Sequence, residues 1–111
     1  METYLQTEKT GHILRVTLNR PERRNALSTP MCDGLLALPA QVEADLDIRC
    51  VVITGAGEGF CSGADLKERR ELDEAASWRY VELVDKALLE IEAIPVPTIA
   101  AVNGHALGGG T

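Results

Sequence analysis

The chain has 111 residues and a formal net charge of −6, so it can form at most one domain and lacks the basic surface that non-specific nucleic-acid binding requires. Its composition is 45% hydrophobic and 25% charged, ordinary for a soluble globular protein, and no uninterrupted apolar run approaches the length of a membrane span. The N-terminal sequence from Met1 to Tyr4 has no leader pattern. We therefore expect a cytoplasmic protein, or a mitochondrial one from which a leader has been removed.

The cysteines and histidines give no sign of a disulfide framework or a metal site. Cys32, Cys50 and Cys61 are odd in number and far apart, and with His12 and His105 they form no zinc-like spacing. We predict free thiols in a reducing compartment and no metal.

The chain begins with the pattern of a hairpin. Ile13 to Leu18 is mostly apolar and contains β-branched residues, which predicts a strand. Thr10-Gly11 is a plausible turn, which makes Tyr4 to Thr7 the hairpin partner. Asn19 to Pro21 then breaks the pattern.

A helix is predicted next, ending at about Asp45. Ser28 or Thr29 can cap it, with Pro30 as its first residue. Pro39 lies in its middle and should kink or split it, because proline removes a backbone donor. The apolar residues at helical spacing are Met31, Leu35, Leu38 and Val42.

The second half alternates strand, helix and strand. Cys50 to Thr54 is wholly apolar apart from its last residue and predicts a strand buried on both faces. Glu74 to about Ile94 predicts a long amphipathic helix, and Thr98 to Val102 predicts another buried strand. This order of elements is typical of an α/β fold. The apolar stripe of the long helix comprises Trp78, Val81, Val84, Leu88, Ile91 and Ile94.

Two glycine-rich loops, Gly59 to Lys67 and Asn103 to Gly110, each follow a predicted buried strand. Glycine allows sharp turns and lets a ligand approach the main chain. Helices that start after such glycines leave amide donors free, and two donors aimed at one point form an oxyanion hole. A purely structural role is the alternative, since glycine-rich turns between strands and helices are common.

Other motifs fit less well. Gly55 to Phe60 fails the dinucleotide-binding pattern at its third glycine, and Ser62 is not in a nucleophile elbow. Nothing pairs Cys61 with His105, so we predict a buried structural cysteine and a loop histidine without a chemical role. The mixed charges from Lys67 to Glu71 predict a solvated helix face.

Three linked motifs resemble the crotonase, or enoyl-CoA hydratase/isomerase, superfamily. They are Leu18 to Leu27 (LNRPERRNAL), Gly59 to Glu68 (GFCSGADLKE) and Pro97 to Gly110 (PTIAAVNGHALGGG). The resemblance covers nearly all of the chain from Ile13 to Thr111. It implies an α/β spiral of ββα units, of which residues 1–111 would be the incomplete N-terminal part of a single domain, assembled as homotrimers or hexamers.

The resemblance also implies a site. The backbone N–H groups of Ala64 and Gly109 would form the oxyanion hole for an acyl-CoA thioester, with coenzyme A as part of the substrate and no separate cofactor. Arg23 and Arg24 would contact its phosphates, with surface solubility as the alternative, and Glu22 departs from a family position that is often basic. Other substrate-binding positions would be Ala26, Ser62, Asp65, Leu66, Lys67, Leu107 and Gly108.

The reaction that the resemblance implies is hydration of a trans-2-enoyl-CoA to a 3-hydroxyacyl-CoA. In the family's hydratases one catalytic glutamate lies two residues after the last glycine, directly after the position of Thr111, and a second lies later. Neither falls within residues 1–111, so we expect a piece of a longer protein or a short form that cannot complete the reaction. Isomerases and thioester hydrolases share these motifs, and non-catalytic acyl-CoA binding is a further alternative.

Overall fold

The computed structural model describes residues 4–111 as a four-stranded sheet with helices packed against one face. Strands β1 (Leu5–Thr10) and β2 (Ile13–Leu18) form an antiparallel hairpin, and β3 (Cys50–Gly55) and β4 (Thr98–Ala100) follow in parallel. The spatial order equals the chain order, because helical connections carry the chain between the parallel strands. The predicted α/β class and order of elements are confirmed.

The hairpin is tighter than predicted. Thr10 pairs directly with Ile13, which leaves only Gly11 and His12 in the turn, and Gly11 takes the positive φ of 61° that such a turn needs. β1 therefore runs to Thr10 rather than ending at Thr7.

Pro39 splits the first predicted helix. Helix α1 (Thr29–Leu36) is capped by Ser28, whose Oγ accepts from the Met31 amide, and α2 (Leu38–Glu43) follows after Ala37. Pro39 falls in the first turn of α2, where a missing amide hydrogen leaves no helical bond unmade. The predicted split of the helix is therefore confirmed, and Pro39 costs no helical hydrogen bond.

The long helix α4 (Glu74–Glu92) is shorter than predicted by two residues and is capped by Asp73. Its buried face carries Tyr80, Val84 and Ala87. Trp78 is wrongly placed in the apolar stripe, since 64% of it is exposed. Two positions correspond to about 200° around a helix, so Trp78 faces away from Tyr80.

The parallel strands are less covered than predicted. On β3, Val51 and Ile53 are buried, whereas Cys50 and Val52 on the other face are only half-buried. β4 ends at Ala100, and all of its residues are exposed because it forms an edge of the sheet. Burial on both faces is therefore wrong for β4, whereas on β3 the face of Cys50 and Val52 also carries the buried Thr54 and is covered in part.

One hydrophobic core lies between the sheet and the helices. Side chains from β2 and β3 meet those of α1 and α4, and among them Val16, Met31 and Val51 are completely buried. Across residues 4–111, no helix is both long enough and apolar enough to pass through a bilayer.

The short helix α3 (Leu66–Arg70) is fixed to the rest of the fold through its cap. Asp65 Oδ1 accepts from the amides of Lys67 and Glu68, and its Oδ2 lies 2.9 Å from Nη1 of Arg20. Burial alone would raise the pKa of Asp65, but these hydrogen bonds and the guanidinium outweigh it and lower the pKa below its ordinary range. No residue of α3 is buried, as its mixed charges predicted.

Core packing predicts the effect of one leucine deletion. Leu35 is 1% exposed, and Leu35→Ala should lower the free energy of unfolding by about 2–5 kcal/mol because a cavity remains. Leu46 is 93% exposed, so the same change there should cost less than about 0.5 kcal/mol. Urea unfolding of both variants checks this, and equal losses would contradict the packing.

The capping ion pair predicts a pH dependence. Because the pKa of Asp65 is lower when folded, its charge stabilises the fold above the unfolded pKa of about 3.9, and this contribution disappears as pH falls through the folded pKa. The stability advantage over Asp65→Asn should be constant above about pH 5 and shrink below about pH 4. Thermal unfolding of both proteins from pH 7 to pH 3 measures it. An advantage that does not change with pH would exclude the ion pair as its source.

Candidate active site

The two glycine loops predicted from the sequence lie against each other. Cys61 and Ala106 form a parallel bridge, in which the Leu107 amide donates to the Cys61 carbonyl at 3.0 Å. The amides of Phe60 and Cys61 both donate to the carbonyl of His105. The loop after β3 and the loop after β4 are therefore one continuous hydrogen-bonded unit.

A third segment pairs with the opposite side of the first loop. Leu27 and Ala64 form another parallel bridge, and the Leu27 amide donates to the Gly63 carbonyl at 2.8 Å. The Ser62 amide donates to the Arg24 carbonyl at 3.0 Å. Residues 61–64 thus lie between residues 24–27 and residues 105–107.

Glycine is required where these backbones touch. Gly63 has a φ of 93°, and a Cβ there would lie 2.8 Å from the Leu107 carbonyl oxygen and 3.1 Å from the Gly109 nitrogen. A Cβ on Gly110 would overlap the carbonyl group of Cys61. Side chains at either position would push the loops apart.

The Ala64 and Gly109 amides are the donors left over by this pairing. No peptide bond within residues 4–111 is cis, so the Gly63 carbonyl that faces Leu27 directs the Ala64 N–H to the opposite side. Within residues 4–111, neither the Ala64 nor the Gly109 amide donates to a protein acceptor. Two free donors on contacting loops can bind a single negatively charged oxygen.

Asn25 holds the beginning of the first glycine loop, and the turn before it, through its side chain. It is fully buried with a φ of 57°, and its Nδ2 donates to the carbonyls of Ala56 and Gly59 at 3.0 Å each. Its Oδ1 accepts from the Arg20 amide at 2.8 Å. In the sequence, Asn25 was noted only as part of the first motif. Its structural role could have been expected, because asparagine tolerates a left-handed backbone and hydrogen-bonds to nearby main chain.

Asn103, which follows β4, holds the turn between β3 and the first glycine loop. Its Nδ2 donates to the carbonyls of Gly55 and Gly57, at 2.9 and 3.1 Å, and its Oδ1 accepts from the Gly55 amide. The asparagine that begins the second glycine loop therefore holds the turn that leads from β3 into the first.

Tyr80 is a residue that sequence reasoning missed. Its hydroxyl accepts from the Asp65 amide at 2.7 Å and donates to the carbonyl of Leu27. Burial raises its pKa to about 12, so the hydroxyl is protonated at neutral pH. The available signal was a tyrosine at the helical spacing of Val84 and Ala87, because a buried tyrosine needs a hydrogen-bond partner.

The other predicted residues fall into two neighbouring grooves. Arg24, Ser62 and Leu107 line one of about 610 Å³, together with Gly57 to Gly59 and His105. Arg23 and Lys67 line a second of about 370 Å³ beside the Asp65–Arg20 pair. The two arginines therefore open onto different grooves.

The remaining positions differ in exposure. Ala26 is buried, while Leu66 and Leu107 are 65% and 56% exposed. Gly108 has a φ of 51° at the start of the 3-10 turn Gly108–Gly110.

Cys61 and His105 do not form a nucleophilic pair. Burial raises the pKa of the Cys61 thiol, and His105 meets Cys61 through its backbone carbonyl while lying in an exposed loop. The predicted buried cysteine and loop histidine are confirmed.

Comparison with known proteins gives a consistent family. The enoyl-CoA hydratase/isomerase family model matches residues 8–111. Enoyl-CoA hydratase EchA19 of Mycobacterium tuberculosis is 44% identical over 94% of this chain, and bovine enoyl-CoA hydratase domain-containing protein 2, mitochondrial, is 42% identical over 88%. The crystal structure of an enoyl-CoA hydratase from Bacillus anthracis superposes with a TM-score of 0.92 at 37% identity over 97% of this chain.

The chain spans 40% and 33% of the two sequence relatives and 43% of the Bacillus anthracis chain. The residues that the family model matches include all three motifs. The chain belongs to the enoyl-CoA hydratase/isomerase family and has the crotonase fold over this part.

Proposed function

We propose that the protein containing this chain binds an acyl-CoA thioester and stabilises its enolate in an oxyanion hole formed by the Ala64 and Gly109 amides. The observation that carries this proposal is the pair of donors without acceptors, on loops that touch at Gly63. Family membership supports an acyl-CoA as the ligand.

The chemistry explains why backbone amides suit this task. Removing a proton next to a thioester, or adding water across its conjugated double bond, places negative charge on the carbonyl oxygen. Donors that are fixed before the reaction stabilise this charge without reorganising. Bonds from neighbouring residues fix both loops, so the donors meet this condition.

Hydration of a trans-2-enoyl-CoA to a 3-hydroxyacyl-CoA is the reaction we propose. Two of the relatives are named enoyl-CoA hydratase and short-chain-enoyl-CoA hydratase. The step also needs a general acid and a base. The family resemblance puts a glutamate in the position after Thr111 and another in a later loop, and we assign these roles to them.

Coenzyme A would lie across the two grooves. Arg24 in the larger groove, beside Glu58, and Arg23 with Lys67 in the smaller one, beside Glu68 and Glu71, are the basic side chains that we assign to its phosphates. The exposed leucines Leu66 and Leu107 offer apolar surface for adenine and pantetheine. Asp65 lines the smaller groove, but its carboxylate is engaged by the cap and the ion pair, so we assign it a supporting role there.

Binding without turnover is the second candidate function. The groups that meet at the hole are backbone amides, which bind an oxyanion but transfer no proton. The same hole also serves isomerases and thioester hydrolases. A homotrimer or hexamer, in the cytoplasm or in mitochondria, remains a prediction.

Removing one donor tests the hole. In the full-length protein, Gly109→Pro should lower kcat by about 10²–10³ because proline has no amide hydrogen. Gly109→Ala is the matched control: its Cβ would lie 3.3 Å from Leu27 Cδ1 and the amide remains, so its loss should be much smaller. Steady-state assays with an enoyl-CoA decide the matter, and full activity of Gly109→Pro would refute the hole.

The phosphate contacts have a separate test. Changing Arg23 and Arg24 together to alanine should weaken binding of coenzyme A thioesters more than binding of a phosphate-free pantetheine thioester. Arg49→Ala with Arg79→Ala removes the same charge at other exposed positions and should leave this difference unchanged. Calorimetric titration with both ligands measures it. Equal weakening for the two ligands would assign the arginines to surface solubility instead.

A further inference from the structure

The direction of the Ala64 N–H depends on the two peptide groups that flank the Ala64 Cα, the first of which contains this N–H together with the Gly63 carbonyl. The peptide group before it is held by the Leu27 amide, which donates to the Gly63 carbonyl at 2.8 Å. The peptide group after it is held by Tyr80, whose hydroxyl accepts from the Asp65 amide at 2.7 Å. Hydrogen bonds therefore hold the peptide group before the Ala64 Cα and the one after it. The second of these bonds is made by a side chain from α4.

The hydroxyl of Tyr80 is inserted into the bridge between Leu27 and Ala64. In a regular parallel bridge one residue bonds to both neighbours of its partner directly. Here Leu27 reaches Gly63 directly, but its carbonyl reaches the Asp65 amide through the tyrosine oxygen, which donates to that carbonyl. The hydroxyl is thus hydrogen-bonded to both segments on this side.

The surroundings leave Tyr80 little freedom to move. It is 4% exposed, and its helix neighbours Val84 and Ala87 are buried on the same face. The Tyr80 hydroxyl donates its single hydrogen to the Leu27 carbonyl and accepts the hydrogen of the Asp65 amide on a lone pair. The donor and the acceptor that flank it therefore each have a partner.

We propose that Tyr80 is a positioning residue that aims the Ala64 amide at the thioester oxygen by holding the Asp65 peptide at a fixed distance from Leu27. This inference rests on the proposed oxyanion hole. Tyr80 does not line either groove, so it acts through Ala64 and not by touching the substrate.

Loss of the hydroxyl has a defined consequence. In Tyr80→Phe the Asp65 amide and the Leu27 carbonyl lose their shared partner. They either close into a direct bond, which moves Ala64, or stay buried without partners, which loosens the segment. Because the grooves are untouched, kcat should fall by about tenfold to 10², less than for complete loss of a donor, while KM changes by less than about threefold.

The test uses full-length Tyr80→Phe and two measurements. The first is kcat and KM with a trans-2-enoyl-CoA. The second is the infrared carbonyl stretch of a bound saturated acyl-CoA labelled with ¹³C at the thioester carbon. Hydrogen bonds in the hole lower this frequency, so in Tyr80→Phe it should return part of the way to the value of the free thioester.

Val84→Ala is the matched control. It weakens packing one turn further along the same face of α4 but removes no hydrogen bond to the loop. It should lower the melting temperature and leave kcat and the carbonyl frequency at wild-type values. If it shifts the frequency as much as Tyr80→Phe does, general destabilisation explains the effect and the positioning role is overturned.

Gly109→Pro separates failure of this inference from failure of the hole. If Gly109→Pro is fully active, the hole itself is refuted. If Gly109→Pro is inactive while Tyr80→Phe keeps the wild-type kcat and carbonyl frequency, the hole stands and the role of Tyr80 is refuted.

Should Tyr80→Phe not fold, the wild-type protein provides the answer. The Tyr80 hydroxyl proton, buried and hydrogen-bonded, should give a slowly exchanging proton resonance that moves when a saturated acyl-CoA binds. A resonance at the same position with and without ligand, or one lost to rapid exchange, would overturn the proposal.

Discussion

The arrangement of the site depends on the backbone pairing of residues 61–64 with chain on both sides. Cys61 is bridged to Ala106, and Ala64 is bridged to Leu27. Each bridge is isolated, so neither belongs to a longer ladder that would support it. The glycines next to the bridges allow three backbones to come within contact distance, and the two leftover amides are a direct result of this pairing.

Two asparagines of the motifs hold this backbone arrangement through their side chains. Asn25 and Asn103 together bind the main chain of the loop from Gly55 to Gly59. An asparagine side-chain amide has two N–H donors and can therefore bind two main-chain carbonyls at once. The loop therefore reaches Cys61 in a defined conformation although it contains little regular structure.

Charged residues in this region either pair with each other inside the fold or lie exposed at its surface. Arg20 and Asp65 are largely buried and paired at 2.9 Å, and Arg20 also lies 4.9 Å from the centre of the Tyr4 ring. Arg23, Arg24 and Lys67 are exposed. Neighbouring residues of similar charge thus differ in role, because a buried arginine needs a fixed partner whereas an exposed one is available to an anion.

The sequence by itself determined the family, the order of the elements and the two glycine loops, because these follow from local patterns of apolar residues, glycine and proline. Pro39 predicted a break, and the break occurs just before it. Local pattern also gave two wrong predictions of burial, since Trp78 and the mostly apolar β4 are exposed. Burial depends on what packs against a residue, and residues 4–111 leave β4 at an edge of the sheet.

Only the tertiary structure decided which residues meet at the site. The pairing of Leu27 with Ala64 joins residues 37 positions apart, and the bond from Tyr80 to Leu27 spans 53 positions. No periodicity or spacing encodes such distances, because they depend on how the helices return the chain to the sheet. The same reason explains why Arg23 and Arg24, adjacent in sequence, open onto different grooves.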